Sequence, residues 1–546
     1  MPNTPIFTPQ SDCHGLILAS KLTYQFADGE RIFDGITCSL NQSRTGLVGR
    51  NGAGKSLFAE LLTQQRQPSS GTVTMNATIG YYSQLASQWI GSNQTIAQIL
   101  QVDQALAALD RIEQGECEQR LFDQVAERWD LKQQLLDLLR HLGLPADVNL
   151  AMRHLSGGQL ARLHLWQLFE SDADLLVLDE PSNHLDHLGK RWLIDKVRGW
   201  QGSILLISHD RALLREMSVI WELSGGKLQQ YGGNFDDYFE QKQTQQQALE
   251  RQIDVVKTQQ RRAKIEHQKN QQKADKRAAQ GNKIRKRGGQ PKILLDAMKN
   301  SAQASAASRV INQRGQIDRL DNKMRSLQAG QHIEKTITMR LHEASGSNKS
   351  MINIVNFKVP FSNSDGVSLQ LSSTDKCRIH GANGCGKSTL LKLIEQQNNP
   401  ELRCNQPVIY LDQHFSSLLV NQSMLDNLMH YCPDLKESDA RTLLAGIGFR
   451  RDDVYRLSLH LSGGEKMKLA MTIVGHQANR PLLLLDEPDN HLDLHSKQVL
   501  SQALNHYQGA LMIVSHDEDF IAEIGITQTV MFCPLDHNGR KRGSGC

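Results

Sequence analysis

Two α/β domains in tandem, joined by a long helical hairpin, are what this 546-residue sequence predicts. Three observations predict it. A glycine-rich stretch occurs twice, as Gly49-Arg50-Asn51-Gly52-Ala53-Gly54-Lys55-Ser56 and as Gly381-Ala382-Asn383-Gly384-Cys385-Gly386-Lys387-Ser388. A series of further motifs follows each copy in the same order, the mark of an internal repeat. The segment between the copies differs in composition from both.

Each glycine stretch fits G-x-x-x-x-G-K-[ST], the P-loop. Its glycines let backbone N–H groups approach a phosphate, its lysine supplies a charge, and its serine hydroxyl coordinates Mg²⁺. The context is right in both places: an apolar stretch precedes (Thr45–Val48; Cys377–His380) and a helical pattern follows (Leu57–Leu62; Leu390–Ile394). Gly49, Asn51, Gly52, Gly54, Lys55 and Ser56, with Gly381, Asn383, Gly384, Gly386, Lys387 and Ser388, are therefore expected to bind nucleotide phosphates. Ser56 and Ser388 are the expected metal ligands among them.

Residues 1–240 form the first domain. Leu22–Phe26 reads as a strand whose aromatics either pack in a core or stack on an adenine. Thr78–Gln84 reads as a short strand ending in Gln84. A mostly helical region follows, then Leu155-Ser156-Gly157-Gly158-Gln159 and a helix. Leu175–Pro181 is apolar and short enough for a fully buried parallel strand, and it ends in Asp179-Glu180. Ser182-Asn183-His184-Leu185-Asp186 comes next, and a strand over Ile204–Ile207 delivers Ser208-His209-Asp210.

Residues 351–535 repeat the series: Gln413, Leu461-Ser462-Gly463-Gly464-Glu465, a run ending in Asp486-Glu487-Pro488, Asp489–Asp493, and Ser515-His516-Asp517. About 72 residues separate Gln84 from Ser156, but only about 49 separate Gln413 from Ser462. The first domain thus carries an extra helical segment, placed at 103–127 and of hairpin size. A basic tail, 536–546, ends the chain.

Residues 241–350 hold 24 lysines and arginines against 9 acidic residues, a net of +15, while the chain as a whole carries only +4. Gln246–Ile284 is rich in helix formers. Gly281, Gly288, Gly289 and Pro291 interrupt it, and Val310, Ile317, Leu320, Met324 and Leu327 then form a heptad-like seam. Two long antiparallel helices are predicted, with the tip at Gln280–Lys292. That tip holds Lys283, Arg285, Lys286, Arg287 and Lys292 and no acidic residue. Such charge favours phosphate contact through counter-ion release, so these five are the expected RNA contacts.

No window approaches about 18 consecutive apolar residues, so no membrane span is expected. Met1–Asp12 has neither the basic nor the apolar region of a signal peptide. The nine cysteines are scattered, without metal spacing, and Cys385 sits inside a P-loop; a reduced, cytoplasmic protein is expected.

An aspartate ending a buried strand beside a P-loop holds Mg²⁺, directly or through water; these are Asp179 and Asp486. Glu180 and Glu487, one residue on, are placed to polarise the attacking water. His209 and His516 end a neighbouring strand and reach the γ-phosphate. Gln84 and Gln413 are expected ligands of the metal or the water. Phosphoryl transfer asks mainly for positioning and charge neutralisation, which rigid strand ends provide.

The series as a whole resembles the ATP-binding cassette ATPases, and the L-S-G-G signature is its most specific part. The resemblance implies a head-to-tail sandwich of two cassettes within one chain, as a monomer. One ATP would lie between Lys55, Ser56, Gln84, Asp179, Glu180 and His209 and the facing Ser462, Gly463 and Gly464. The other would lie between Lys387, Ser388, Gln413, Asp486, Glu487 and His516 and the facing Ser156, Gly157 and Gly158. Both sites keep every catalytic residue type. Two cassettes, a basic helical linker and no membrane domain resemble the ABC-F subfamily. That resemblance implies a partner, the ribosome with its rRNA and tRNA, and a role in translation or in protection from ribosome-targeting antibiotics. The 103–127 segment would match the family's arm. The sequence departs from the family pattern at Ser182, at Asp489 and at Glu465, and Phe357 and Phe361 are the candidates for the second adenine shelf.

Two rival functions have discriminators. The ATPase engine of a separate membrane transporter needs no basic linker. A DNA-repair ATPase would carry zinc cysteines, and a structural-maintenance ATPase would split one cassette around its coil, so DNA is not the expected partner.

Overall fold

The computed structural model describes residues 16–41, 43–83, 92–126, 128–183, 185–287, 315–327, 350–360, 366–413, 415–477, 481–490 and 492–532. The chain divides into two compact units. One comprises Met1–Asp236 with Thr336–Cys546, and the other is Asp237–Lys335.

In the first half the strands are β1 (Ile17–Gln25), β2 (Arg31–Leu40), β3 (Arg44–Gly49), β4 (Ser70–Met75), β5 (Ile79–Tyr82), β6 (Leu175–Asp179), β7 (Ser203–Ile207), β8 (Val219–Ser224) and β9 (Lys227–Gly232). The helices are α1 (Lys55–Leu62), α2 (Ile96–Ile99), α3 (Asp103–Glu113), α4 (Gln119–Val125), α5 (Leu131–His141), α6 (Gly157–Phe169), α7 (His187–Gly199) and α8 (Arg211–Leu214). An antiparallel sheet, β2-β1-β4, lies beside a six-stranded sheet of order β5-β6-β7-β3-β8-β9. All pairs of the larger sheet are parallel except β8–β9. β6 and β7 are buried at every residue, as their continuous apolar runs require. Leu22 and Leu47 join a core with Phe33 and Phe58, whose rings meet edge to face at 5.7 Å. α3 and α4 lie within the segment expected to be helical at 103–127, of which residue 127 is outside the described residues, and bury Ala105, Leu106, Leu109, Leu121 and Val125 with Leu131 and Leu135 of α5.

The second half repeats the plan with β10 (Ser350–Phe357), β11 (Val367–Ser372), β12 (Lys376–Gly381), β13 (Val408–Leu411), β14 (Leu482–Asp486), β15 (Leu511–Val514) and β16 (Gln528–Phe532). β10 pairs with β11, and the main sheet runs β13-β14-β15-β12-β16, parallel throughout. Its order matches β5-β6-β7-β3-β8 of the first half strand for strand. Its helices are α11 (Lys387–Gln396), α12 (Met424–Tyr431), α13 (Glu437–Gly446), α14 (Gly463–His476), α15 (Leu494–His506) and α16 (Glu518–Ile524).

Between the halves runs α9 (Phe235–Arg287), 53 residues long. At about 1.5 Å per residue it spans roughly 80 Å. Gly281 was expected to interrupt it and does not. One glycine costs about 1 kcal/mol, and the flanking Ala, Lys, Arg and Gln outweigh that. Residues 315–327 form α10, on which Met324 is buried while Ile317, Leu320 and Leu327 are half-buried. The Gln260 amide donates to the Asp321 carboxylate, linking α9 to α10. Of the tip residues, Lys283, Arg285, Lys286 and Arg287 lie on the last turns of α9, and Lys292 lies outside the described residues.

Candidate active site

Strand register brings the candidate catalytic residues together. Asp179 pairs with Ile207 across β6 and β7, so Asp179-Glu180 and His209 leave adjacent strand ends. Asp486 pairs with Val514 in the same way and sets Asp486-Glu487 beside His516. His209 Nε2 lies 3.6 Å from Glu180 Oε1, and His516 Nε2 lies 3.7 Å from Glu487 Oε1. Glu180 and Glu487 each adopt φ near +50°, a left-handed conformation that glutamate rarely takes. The neighbouring strand enforces it: Glu180 N–H donates to Ile207 O and Glu487 N–H to Val514 O. Strain of this kind, repeated at the same position of two domains, marks a functional constraint.

The P-loops join β3 to α1 and β12 to α11. Gly54 and Gly386 cap these helices at φ +89° and +97°. A Cβ at Gly54 would also come within 2.8 Å of Phe33, so any other residue there is strained and displaces that ring. Lys55 is buried, and its Nζ donates to Gly49 O (2.9 Å) and Arg50 O (3.2 Å). Lys387 does the same with Gly381 O (2.8 Å) and Ala382 O (2.9 Å). Burial pushes the Lys55 ammonium below its usual range, against the pull of Glu180, Asp493 and Asp179.

A cavity of about 370 Å³ opens on the first P-loop. Asn51, Gly52, Gly54, Lys55, Ser56, Asp179, Glu180 and His209 all line it. Burial, followed by the neighbouring Asp179, overcomes the pull of Lys55 and lifts the Glu180 carboxyl to about 7. Burial pushes His209 well below its usual value, and it takes His516 down to about 3, with Lys387 adding to the effect. Both imidazoles are neutral at pH 7. Asp179 Oδ1, Glu180 Oε1 and both ring nitrogens of His209 and His516 are buried without a hydrogen-bond partner. Buried polar atoms are rarely left so. With the left-handed glycines and the buried lysine, they fit a polyphosphate and its divalent cation.

The far wall of the cavity belongs to the other domain: Asp489, Asn490, Leu492 and Lys497. Asp493 Oδ2 accepts the Asn51 N–H at 3.0 Å across that boundary. Ser462, Gly463 and Gly464, expected opposite this P-loop, are not part of the wall. They begin α14, where Ser462 caps the helix in a capping box with Glu465. Ser156 does the same with Gln159 at the start of α6, ahead of Gly157 and Gly158. Glu465 is therefore no loss to the second signature, since a capping box takes Glu or Gln.

The second site differs in its links to the other domain. Asp186, the twin of Asp493, is bound by Arg162 of its own signature helix. One cross-domain contact there is between rings, His187 and His380, 5.8 Å apart and edge to face. Tyr410 OH donates to Asp486 Oδ2 at 2.9 Å. Gln413 is exposed in the turn after β13, and Gln84 lies outside the described residues. Further cross-domain bonds join α8 to α16: Arg211 to Glu523, and Arg215 to both oxygens of Asp519 (2.8 and 3.0 Å).

The adenine shelves come out unequally. Phe26 is exposed and meets Tyr24 at 5.4 Å, while Tyr24 OH accepts from Arg66. Phe357 is buried in the core with Ile379 and Leu390, which removes it as a stacking residue, and Phe361 lies outside the described residues. Sequence reasoning missed Lys190, half-buried, and Lys497, buried, where the domains meet. The available signal was a lysine four residues after the final aspartate of H-L-D in both repeats.

The ABC transporter family profile matches residues 33–183 and 364–490. The chain is 31% identical over 522 residues to putative ATP-binding protein YdiF of Bacillus subtilis, covering 89% of this chain and 75% of that one. It is 28% identical to ABC transporter F family member 5 of Arabidopsis thaliana, covering 93% and 72%. Among solved structures it is similar to RNase-L Inhibitor, with a TM-score of 0.51 at 15% identity, covering 94% of this chain and 87% of that one. The duplicated cassette series and these relatives together make the chain a member of the ABC-F subfamily of ATP-binding cassette ATPases.

Proposed function

We propose that this ATPase is a cytoplasmic, ribosome-associated factor. Its cassettes close on ATP, and closure controls its hold on the ribosome, modulating translation or protecting from ribosome-targeting antibiotics. One observation carries the reading. Between two complete cassettes sits a separate unit built on a 53-residue helix, in a segment of net charge +15. A spacer needs no such charge, whereas rRNA and tRNA phosphates match it. Among the described residues no helix is long and apolar enough to cross a membrane, and the cysteines are free thiols.

The division of labour follows from the site. Asp179 with Ser56, and Asp486 with Ser388, would hold Mg²⁺, with Gln84 and Gln413 as further ligands; the cation would neutralise phosphate charge. Lys55 and Lys387 bind the phosphates. Glu180 and Glu487 accept the proton of the attacking water, and a carboxyl near 7 suits that task. His209 and His516, neutral and without ring partners, orient the terminal phosphate. In the closed form Ser462 and Gly464 face the first P-loop, and Ser156 and Gly158 face the second, so each ATP binds both cassettes.

Glu180→Gln with Glu487→Gln keeps ATP binding and stops turnover. In ATP the double variant should co-sediment with ribosomes more strongly than wild type and inhibit translation. Equal pelleting would remove the ribosome as partner. Adding Lys283, Arg285, Lys286 and Arg287→Gln should lower the salt slope of that binding by about three, because each of the four lost phosphate contacts removes about 0.7 to 0.9 of a unit. An unchanged slope reduces the tip to a spacer.

A further inference from the structure

Two lysines, Lys497 buried and Lys190 half-buried, lie where the cassettes touch, and the ATPase mechanism above leaves them without a task. Lys190 Nζ lies 3.0 Å from Asp210 Oδ2, and Lys497 Nζ lies 2.8 Å from Asp517 Oδ2. Asp210 and Asp517 are the residues directly after His209 and His516. Each is a rigid hub. Asp517 N–H donates to Ser515 Oγ, and Asp517 Oδ1 caps α16 by accepting Phe520 N–H; Asp210 is tied in the same manner to Ser208 and α8.

The histidine rings make no hydrogen bond of their own. Their placement therefore rests on the main chain around them, and that main chain is held by the aspartate and its lysine. In the second cassette the hold is tighter. Asp489 stands where the first cassette has Ser182. It is buried, bonded to the Ser515 side chain, and its Oδ2 is 4.0 Å from Lys497 Nζ. Asp489, Ser515, Asp517 and Lys497 thus enclose the base of His516.

Lys497 also looks the other way. It lines the cavity of the first P-loop. One helical turn before it, Asp493 caps α15 through Ser496 N–H and accepts Asn51 N–H of that same P-loop. A continuous path of bonds therefore runs from the first P-loop through Asp493, the first turn of α15, Lys497 and Asp517 to His516. At the other boundary Asp186, the twin of Asp493, pairs with Arg162 of its own cassette.

We propose that Lys497 is a positioning residue for His516 and that it couples the second ATP site to the state of the first P-loop. The proposal rests on the ATPase reading of both sites. It requires packed, bonded contacts with two arrangements, which is how coupling between sites is carried.

The test is a thermodynamic cycle on the full chain, read by titration with a fluorescent ATP analogue. Lys55→Ala removes the first P-loop's phosphate charge, so remaining binding reports the second site. The second change is Lys497→Met with Asp489→Ser, which removes one charge of each sign and leaves the buried charge balance unaltered. With Lys497 present, Lys55→Ala should weaken second-site binding by about fivefold or more, the usual size of coupling between sites. In the Lys497→Met, Asp489→Ser background the same change should cost less than about twofold. An equal loss in both backgrounds makes Lys497 merely structural, and no loss in either abolishes the coupling. Should the double substitution not fold, Asp517→Asn carries the same comparison, since asparagine keeps the helix cap and loses only the charge toward Lys497. Turnover is a second readout. With Glu180→Gln silencing the first site, the Lys497 change should lower kcat by about tenfold with KM nearly unmoved, as misplacing a group used in the transition state does. A proportional rise in KM would contradict positioning. Absence of binding by wild type would instead overturn the ATPase reading itself.

Discussion

The two P-loops share their glycines, asparagine, lysine and serine, differ only at Arg50/Ala382 and Ala53/Cys385, and have different neighbours. At the first, the loop backbone is held by Asp493 of the opposite cassette, and a cavity forms with walls from both domains. At the second, Asp186 is engaged by Arg162 of its own cassette, and the boundary is crossed by two imidazoles. The twin of His380 is Val48, and the twin of His187 is Leu494. Equal catalytic residues therefore do not make equal sites, because what differs is how each site feels the other half of the chain. The interface itself is also unequal. α8 presents Arg211 and Arg215, whereas α16 presents Glu523 and Asp519. Opposite charges favour pairing of the first cassette with the second. Two first cassettes would bring arginines together, at a cost in repulsion.

Removing what the two sites share should have the largest effect. Lys55→Ala with Lys387→Ala is expected to abolish nucleotide binding, measured by equilibrium titration. Undiminished binding would overturn the assignment of both P-loops.

Acidity should separate the sites next. With Glu487→Gln silencing the second site, turnover at the first should rise with pH through about 7, because only the carboxylate accepts a proton. Below that midpoint the rate should fall about tenfold per unit. Burial also raises the Glu487 carboxyl, but its side chain is 29% exposed against 13% for Glu180. With Glu180→Gln the remaining midpoint should therefore lie lower. Coincident midpoints in the two pH–rate profiles would erase the distinction.

A smaller effect concerns stability. Arg162→Met strips Asp186 of its partner inside the first cassette. The pair is largely buried, so the loss should be about 2 kcal/mol, below the figure for fully buried pairs because both side chains retain some exposure. The twin change, Lys468→Met, should cost less than about 0.5 kcal/mol, since no ion pair links Lys468 to Asp493 among the described residues. Denaturant unfolding of both variants measures the difference.

What was legible in the sequence was whatever a short stretch encodes by itself. The P-loops, Asp179-Glu180, Asp486-Glu487 and the two histidines sit at ends of buried strands, and the apolar runs announce those strands. The capping boxes lie in the sequence as S-x-x-[QE] but went unread there, and Glu465 read as a departure. Contacts between residues hundreds of positions apart were not legible. Nothing around Asp493 tells that it crosses to Asn51, nor around Asp186 that Arg162 retains it. Lys190 and Lys497 drew no notice in the sequence, and it is where the two cassettes meet that Lys497 is buried and Lys190 half-buried. Gly281 misled for another reason: a single glycine is a weak breaker inside a long run of good helix formers.

The inequality of the two boundaries can be measured directly as a distance. Probes carried by non-natural residues at exposed positions, such as Gln67 in the first cassette and Glu401 in the second, avoid the nine cysteines. Asp493→Asn replaces the acceptor of the Asn51 N–H by a donor while keeping the cap of α15; Asp186→Asn makes the twin change at the residue that Arg162 of its own cassette holds. In the nucleotide-free chain the inter-cassette distance distribution should broaden for Asp493→Asn and match wild type for Asp186→Asn. Equal broadening in both variants, or none in Asp493→Asn, would contradict the account.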